Sequence, residues 1–255
     1  MCESSLEADI QISVVIPTLN EEKVLPRLLK HFTPALKEEL NLEVIISDGG
    51  STDTTLACAY PYADQIVVHR GNAPQTIAAG RNAGAYVARG KVLFFLNADV
   101  QLPEDVYLFF KHMAEVASRQ GCATCRVEVL PEEATWVDRL VLGGCNVLFS
   151  GMAWLGMGAG RGECQVVRKD IFQAVGGYRE DLVAGEDFEF FGRVVRHLKK
   201  QGISRVAFVW HLCVYEDPRR YRKAGYLSTL ALWAINYFSV LWRRRAYSLH
   251  WKPVR

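Results

Sequence analysis

Residues 12–22 read ISVVIPTLNEE, and their pattern gives the first strand of the predicted fold. Its first five residues, ISVVI, form an unbroken apolar run that is short enough for a buried strand. We expect Pro17 to end that strand, because proline lacks the N–H group that a sheet ladder uses. Apolar residues then recur at helical spacing through residues 21–32, which predicts a helix. The chain therefore opens with a strand followed by a helix.

The same alternation continues through the first half of the chain. Apolar runs predict further strands at 42–47, 65–69 and 91–96, and the stretches around them predict helices at 52–59, 76–88 and 103–118. Strands that are apolar throughout and alternate with helices are typical of a parallel sheet covered on both faces. The sequence thus predicts the α/β class with a mostly parallel central sheet.

Beyond residue 121 the pattern is less regular. Further strands are predicted at 122–129, 164–167 and 207–214, and a helix at 186–201. Residues 136–162 contain seven glycines together with tryptophan and methionine, and we expect a mobile connection near a ligand there.

Composition narrows the class of protein. The 255 residues are 50% hydrophobic and 23% charged, as in soluble globular proteins, and a net charge of +2 is too weak to predict a nucleic-acid partner.

Seven cysteines are an odd number, and the pair Cys122 and Cys125 has no second pair to complete a zinc site. We interpret the thiols as reduced and that pair as buried strand residues. Residues 1–9 carry three acids and no base, unlike a secretory signal, so we expect a cytoplasmic protein.

Polar residues follow three of the predicted strands, at the point where each strand ends. They lie at 17–22, 48–53 and 97–99. Ligands of open parallel sheets bind outside the carboxyl ends of the strands, so these residues should line one cleft. The chain has neither a P-loop nor a GxGxxG fingerprint after its first strand, and ATP hydrolysis and NAD binding therefore have no motif support.

Two carboxylates stand out in this cleft. Asp48 precedes two glycines, which we expect to leave its carboxylate accessible, although Asp48 and Ser51 could instead cap the next helix. Asn97 and Asp99 should project to the same side of an extended chain. A carboxylate at a strand tip can accept hydrogen bonds from a base or ribose, or hold a divalent cation on a diphosphate. We expect Asp99 to be the metal ligand and Asn97 a weaker ligand or a ribose contact.

Four segments in this order resemble glycosyltransferase family 2 on a GT-A fold. They are VVIPTLNEE (14–22), VIISDGGSTDTT (44–55), AAGRNAGAYVARGKVLFFLNADV (78–100) and VGGYREDLVAGEDFEF (175–190). The resemblance covers residues 12 to about 201, and the tail further resembles a bacterial subgroup with a Pro-Arg-Arg stretch before an apolar C-terminal helix. It implies a nucleotide-diphospho-sugar donor and a divalent cation, Mg or Mn.

The resemblance also implies roles for individual residues. Asp48 would hydrogen-bond the base, Arg81 would approach the nucleotide or diphosphate, and Asp187 would be the general base of an inverting transfer. The nucleotide pocket would be lined by Pro17, Thr18, Asn20 and Glu22, and Asn97-Ala98-Asp99 stands where the family has Asp-x-Asp.

The Glu186-Asp187 pair has an alternative interpretation, because acids are favourable at the start of any helix. Apolar neighbours on both sides could nevertheless raise a carboxylate pKa towards a value useful for a base. Asn97 in place of an aspartate could lower metal affinity. Many relatives add a late histidine to the metal, and here we favour Glu216 or Asp217 near the site over His211.

The C-terminal part combines basic and apolar stretches. Four bases lie within residues 219–223, three arginines occupy 243–245, and the 19 residues of 224–242 carry no charge. Such a segment is just long enough to span a bilayer, but bases on both sides indicate no orientation. We favour a helix that lies in a membrane interface or docks on the domain, with a spanning helix or an ordinary core or dimer helix as alternatives. Contact through 219–245 would suit a lipid-borne acceptor at the inner face of the cytoplasmic membrane.

These patterns predict a catalytic domain at 1–215 and a helical extension at 216–255. Within the domain, 12–120 would bind the nucleotide-sugar and 121–215 the acceptor. Two other functions compete with sugar transfer. Nucleotidyl transfer usually needs a basic glycine-rich loop after the first strand, but that loop is acidic here. A non-catalytic nucleotide-sugar-binding or membrane scaffold module has only Asn97 in its favour.

Overall fold

A computed structural model describes residues 11–71, 74–203, 205–243 and 245–248. Its centre is one seven-stranded sheet with the order β3-β2-β1-β4-β6-β5-β7. The strands are β1 (Ile12–Thr18), β2 (Leu42–Asp48), β3 (Gln65–Val68), β4 (Val92–Leu96), β5 (Cys122–Glu128), β6 (Cys164–Arg168) and β7 (Ala207–Tyr215). The helices are α1 (Leu25–Leu29), α2 (Pro34–Leu40), α3 (Thr55–Ala59), α4 (Ile77–Val87), α5 (Val106–Gln120), α6 (Trp136–Trp154), α7 (Lys169–Ala174), α8 (Glu186–Lys199), α9 (Arg219–Ala224) and α10 (Tyr226–Arg243).

The sheet is mostly parallel, as the sequence predicts. β1 pairs in parallel with β2 and β4, β2 with β3, and β5 with β7. Only β6 runs antiparallel to its neighbours β4 and β5. Because β1, β2 and β4 are parallel, their carboxyl ends meet at one edge of the sheet, where the predicted cleft residues lie.

Apolar cores cover both faces of the sheet. Alternate residues of a strand point to opposite faces, so Val14 and Ile16 pack with α1, α2 and α5, whereas Val15 packs with α4 and α8. Helix α4 approaches β1 closely at Gly84, where a Cβ atom would lie 2.4 Å from Cγ1 of Val15. Burial on both faces explains why the strands are largely apolar, and the buried polar pair of Ser13 and Glu43 is hydrogen-bonded.

Some predicted boundaries are wrong. Pro17 does not end β1, since it lies within the strand opposite Ser47. Pairing with β4 stops at Val15, so the missing N–H of Pro17 interrupts no ladder on that side. The helix predicted at 21–32 reduces to α1, helices α2 and α7 were not predicted, and α5 begins at Val106 because Asp105 caps its first turn.

The cysteine interpretation agrees with the structure. Cys122 and Cys125 are both buried in β5, on opposite faces of the sheet, and they are free thiols. Cys2 lies outside the described residues. The N-terminal segment 1–9, on which the expected absence of a signal rests, also lies outside them.

The prediction of a mobile connection at 136–162 is wrong for most of its length. Residues 136–154 form the 19-residue helix α6, which starts with a capping box between Thr135 and Asp138. Its glycines at 143, 144 and 151 face open space, so they lower helix propensity without disturbing any packing. Leu142, Cys145 and Phe149 form its buried side.

The C-terminal extension forms two helices. Gly225, with a φ of 85°, separates α9 from α10. Tyr221 of α9 is buried; its ring stacks on Tyr226 and meets Trp233 edge-on. None of the described helices combines the length and the apolar character needed to cross a bilayer. Tyr221 also packs with Val129 and Leu142, so the extension is in contact with the domain that the sequence analysis separates from it.

Candidate active site

The ends of β1 and β2 are joined through Asp48. Its carboxylate accepts hydrogen bonds from Thr18 Oγ1 at 3.0 Å and Ser51 Oγ at 2.5 Å, and from the backbone N–H groups of Gly50 and Ser51 at 3.0 and 2.8 Å. Asp48 is fully buried. The expectation that two glycines leave this carboxylate accessible is therefore wrong, because the glycine turn folds back over it. Hydrogen bonding of Asp48 to a base stays a prediction.

The loop after β1 is bonded to the loop after β2. Asn20, with a φ of 54°, accepts a hydrogen bond from Thr52 N at 2.7 Å, and its own N–H donates to Ser51 Oγ at 2.8 Å. Glu22 accepts from both the N–H and the hydroxyl of Thr54, and these bonds lower the pKa of its carboxylate. The two loops thus form one unit at the predicted nucleotide pocket.

Pro17 and Ala98 lie at the same edge of the sheet, near the end of β1 and just after β4. Pro17 lies against α4 at Gly80, where a Cβ atom would come within 3.2 Å of its ring, and Ala98 is buried beneath the end of β4. Both residues act through shape, because neither offers a polar side chain to a ligand. Their place in the lining of the nucleotide pocket stays a prediction.

Arg81 lies at the centre of the site. It is 1% exposed and donates hydrogen bonds to Glu186 Oε1 at 3.1 Å, Asn97 Oδ1 at 3.1 Å and Gly162 O at 2.8 Å. Its guanidinium also lies over the ring of Tyr178, 5.2 Å from the centroid. One side chain thus connects α4, the end of β4, the start of α8 and the segment before β6. Contact of Arg81 with a nucleotide stays a prediction.

Glu186 and Asp187 begin α8, directly after Gly185 in the left-handed conformation. Glu186 is buried beside Arg81, whereas Asp187 is partly exposed and accepts a hydrogen bond from Phe188 N at 2.8 Å. Burial, reinforced by the neighbouring Glu186 carboxylate and opposed by Arg81, raises the pKa of Asp187 to about 8. A carboxylate with such a pKa can accept a proton near neutral pH.

Asp99 is paired with a residue from the C-terminal extension. Arg219 Nη2 lies 3.2 Å from Asp99 Oδ2 and 3.3 Å from Glu21 Oε2. Burial raises the pKa of Asp99, while Arg219 acts in the opposite direction. Arg219 was not singled out as a site residue from the sequence, because 120 residues separate it from Asp99.

The donor groups around Asp99 can be compared with what a metal requires. No group of three or more His, Cys, Asp or Glu residues in the described part of the chain is arranged to hold a metal ion. Mg²⁺ is commonly held by one or two protein carboxylates together with substrate phosphates, and Mn²⁺ also favours oxygen ligands. A partly exposed Asp99 carboxylate fits a cation that a diphosphate would help to hold.

Glu216 and Asp217, rather than His211, lie near Asp99, as the sequence analysis favours. Glu216 and Asp217 line a small pocket together with Asp99. His211 instead lies edge-on against His112, with 4.6 Å between the ring centroids. Glu216 is engaged further, because it accepts hydrogen bonds from Arg161 at 2.8 Å and from the Tyr221 hydroxyl at 2.7 Å.

Comparisons with known proteins agree with this fold. The model of the family described as glycosyl transferase family 2 matches residues 13–174. A PGL/p-HBAD biosynthesis glycosyltransferase of Mycobacterium tuberculosis is 38% identical over 96 residues, which are 36% of this chain and 36% of that protein. A beta-monoglucosyldiacylglycerol synthase of Nostoc is 24% identical over 249 residues, covering 87% of this chain and 50% of that protein. The matched regions thus amount to about a third and a half of these relatives.

A solved structure shares the architecture. Glucosyl-3-phosphoglycerate synthase of Mycobacterium tuberculosis, crystallised with Mn²⁺, uridine diphosphate and glucosyl-3-phosphoglycerate, superposes with a TM-score of 0.62. The superposition covers 92% of this chain and 79% of that one at 16% identity. At this identity the likeness establishes the fold, which is that of GT-A glycosyltransferases.

Proposed function

Because this chain belongs to glycosyl transferase family 2, we propose that it transfers a sugar from a nucleotide-diphospho-sugar to an acceptor hydroxyl with inversion at the anomeric carbon. One observation carries the proposal. Arg81 hydrogen-bonds Asn97 of the strand-end segment on one side and Glu186, next to Asp187, on the other, each at 3.1 Å. A single buried guanidinium thus connects the segment assigned to the donor with the pair assigned to the base.

Asp187 has the properties of the base in this reaction. The acceptor oxygen forms a bond to the anomeric carbon while the bond from that carbon to the diphosphate breaks, and the hydroxyl proton passes to Asp187. The raised pKa of Asp187, about 8, makes its carboxylate a stronger proton acceptor than an ordinary aspartate. Only one such base is needed, because the leaving diphosphate does not require a second carboxylate to protonate it.

Other side chains orient the reacting groups. Arg81 fixes the start of α8 through Glu186 and so holds Asp187 in place. Thr18, Asn20, Glu22 and Asp48 hold the two loops of the nucleotide pocket in one conformation. Asp99 would hold a divalent cation, Mg or Mn, which when bound supplies positive charge to the leaving diphosphate.

The acceptor is proposed to be lipid-borne. One relative supports this by name, since it makes a glucosyldiacylglycerol. Helix α10, which belongs to the segment assigned to membrane contact, also lies against the loop that precedes Asp187. A Cβ atom on Gly185 would come within 3.2 Å of Val240 Cγ2 in α10. Contact of residues 219–245 with a membrane would therefore bring a lipid acceptor towards Asp187.

Binding of nucleotides tests the donor half of the proposal. Thermal unfolding is measured with UDP, GDP, dTDP and CDP, each with and without Mn²⁺. A nucleotide at 100 times its dissociation constant should stabilise the protein by about 2.7 kcal/mol. Asp99→Ala should abolish the metal-dependent part of the shift, whereas Asp170→Asn, a surface acid of α7, should not change it.

Turnover tests the catalytic half. With the nucleotide-sugar identified, Asp187→Asn should bind the donor as the wild type does and lose transfer by at least a hundredfold, the usual contribution of a general base. Unchanged transfer would reject Asp187 as the base. Donor binding without any transfer or donor hydrolysis in the wild type would favour the non-catalytic module instead.

A further inference from the structure

Two long stretches of the chain contain no charged residue, and both form helices. Residues 140–160 include most of α6, and residues 224–242 include nearly all of α10. The side of each helix that faces solvent is apolar. The exposed large apolar side chains are Trp136, Leu140, Val147, Leu148 and Trp154 on α6, Leu155 directly after it, and Leu227, Leu232, Ile235, Phe238 and Trp242 on α10. We call these residues together the outer apolar face.

The inner sides of α6 and α10 are packed and therefore fix which sides remain outward. On α6, Asn146 bonds both polar atoms of its side chain to the backbone of Val127 in β5, so the opposite side points away from the sheet. On α10, Leu230 packs in one cluster with Cys145 and Phe149 of α6. The two helices are therefore neighbours through their inner sides.

The outer apolar face contains eleven exposed large apolar side chains. Contiguous exposed apolar patches of more than a few hundred Å² mark interaction sites. Three of its side chains are tryptophans, at positions 136, 154 and 242, exposed by 76%, 67% and 80%. Trp136 and Trp154 are the first and last residues of α6, and tryptophan is enriched where apolar and aqueous phases meet.

Charge identifies the kind of surface that would cover this face. Residues 218–255 contain nine of the 30 basic residues of the chain and none of its 28 acidic residues. Within the described residues these bases lie in α9, before α10, and at Arg243 and Arg245 at its other end. Arg219 and Arg222 form ion pairs with Asp99 and Asp138, and the excess of bases over acids in the segment still attracts an anionic surface. An apolar helix face bordered by arginine and lysine is typical of helices that lie in the interface of an anionic membrane.

We propose that the outer apolar face, formed by α6 and α10 together, binds the surface of an anionic lipid bilayer. The sequence analysis considered only the C-terminal segment for this role, and α6 is the second helix of the surface. The inference rests on the proposed function in one respect, because it specifies how a lipid-borne acceptor reaches the site.

The position of Asp187 gives this surface a role in the reaction. Phe188, the next residue, lies between the two helices. Its ring centroid is 5.5 Å from that of Phe149 in α6 and 5.1 Å from that of Tyr237 in α10. Asp187 therefore lies on the inner side of these helices, and docking of both helices on a bilayer brings the base to within one helix diameter, ~10 Å, of the lipid surface.

Vesicle co-sedimentation of the full chain tests the proposal. The probes are vesicles of phosphatidylcholine alone and of phosphatidylcholine with phosphatidylglycerol. The wild type should bind the anionic vesicles, and binding should weaken as salt is raised. Leu140→Glu on α6 and Leu227→Glu on α10 should each lower the partition coefficient by about tenfold or more, because each places a charge in the apolar interface.

Matched controls separate this effect from unfolding. Leu108→Glu on α5 and Tyr86→Glu on α4 also place a charge on an exposed apolar position, outside the outer apolar face, and should bind vesicles as the wild type does. All four positions are at least half exposed, so the variants should keep the wild-type unfolding temperature. Retained nucleotide binding in each variant shows independently that the donor site is intact.

Several outcomes would overturn the proposal. Failure of the wild type to bind either vesicle would reject it, and equal binding to both vesicles would reject the anionic specificity. Normal binding by Leu140→Glu would exclude α6 from the surface. A dimer in light scattering that Leu140→Glu dissociates, without vesicle binding, would identify the face as an interface between two copies. Because vesicle binding is measured without nucleotide, its failure is distinct from failure of sugar transfer.

Discussion

Arg219 and Asp99 form an ion pair, with 3.2 Å between Nη2 and Oδ2. The same guanidinium lies 3.3 Å from Glu21. The pair joins the first turn of α9 to the end of β4, so the C-terminal extension reaches the acid assigned to the metal. A guanidinium beside a carboxylate supplies the positive charge that a bound cation would supply. Coordination of a cation by Asp99 therefore requires Arg219 to move or to share that carboxylate.

The first prediction follows from this competition. Arg219→Gln should bind Mn²⁺ more tightly than the wild type in the absence of nucleotide. A partly exposed ion pair is worth at most about 1 kcal/mol, so the gain should stay below about tenfold. Free Mn²⁺ is measured by its electron paramagnetic resonance signal. Arg168→Gln, which removes another paired arginine, is the control, and equal Mn²⁺ affinity in Arg219→Gln and wild type would show that Arg219 does not compete at Asp99.

Most of the sheet could be predicted from the sequence, because buried parallel strands are continuous apolar runs. Strand β1 needs Val14 and Val15 on opposite faces, and both faces are covered. Helix α6 could not be predicted in this way. Its glycines at 143, 144 and 151 suggested a loop, but packing of Leu142 and Phe149 outweighs the weak propensity of those glycines.

The site was only partly predictable, for a related reason. Motif residues at the ends of parallel strands must come together, so the proximity of Thr18 to Asp48 was foreseeable. The partners of those residues were not. Arg219 belongs to the Pro-Arg-Arg stretch, to which the sequence assigned no site role, and Arg161 belongs to a segment without a motif. Only the packing of the extension brings Arg219 to Asp99 and Arg161 to Glu216. The burial of Asp48 depends on a turn geometry that two glycines permit but do not dictate.

The second prediction concerns the buried pair of Arg81 and Glu186. Arg81→Met should lower the free energy of unfolding by about 3–5 kcal/mol, because it leaves a buried carboxylate without its cation. Urea unfolding measures the change. The double variant Arg81→Met with Glu186→Gln should recover part of the loss, since no unpaired charge remains. Arg179→Met, which breaks an exposed pair with Asp181, should cost less than about 1 kcal/mol.

Two other results for the pair of Arg81 and Glu186 would contradict or refine this prediction. If Arg81→Met were as stable as the wild type, Glu186 would have to be neutral or hydrated in the folded protein. If Arg81→Lys restored stability but not turnover, the charge would suffice for folding and the fork-shaped guanidinium would be needed to position Asp187.

The third prediction concerns the dependence of turnover on pH. Since the pKa of Asp187 is raised to about 8, kcat/KM should rise with pH and level off above about 8. The same shift acts on stability in the opposite direction. Between about pH 4 and 8 the folded protein keeps a proton on Asp187 that the unfolded chain has lost, so this contribution to stability falls as pH rises, by up to about 1.4 kcal/mol per pH unit.

Asp187→Asn separates these two effects. The variant should lose the rise in kcat/KM and should show a shallower fall of unfolding free energy between pH 5 and about 8. Glu216 is the control, because burial also raises the pKa of its carboxylate to about 8. Glu216→Gln should flatten the stability profile while leaving the midpoint of the activity profile in place. An activity midpoint near pH 4 would contradict a raised pKa at Asp187.

The fourth prediction tests whether the extension and the catalytic domain fold as one unit. Tyr221 of α9 is buried, and its hydroxyl accepts a hydrogen bond from Arg161 at 2.9 Å and donates one to Glu216 at 2.7 Å. Tyr221→Phe should therefore lower the free energy of unfolding by about 1–3 kcal/mol, as expected when buried polar groups lose a partner. Tyr60→Phe, at an exposed tyrosine, should change it little. Because α9 packs on the domain, tryptophan fluorescence and far-ultraviolet circular dichroism should report one coincident transition in both variants. A separate early transition that removes only the helical signal of the extension would instead support an independent unit at 216–255.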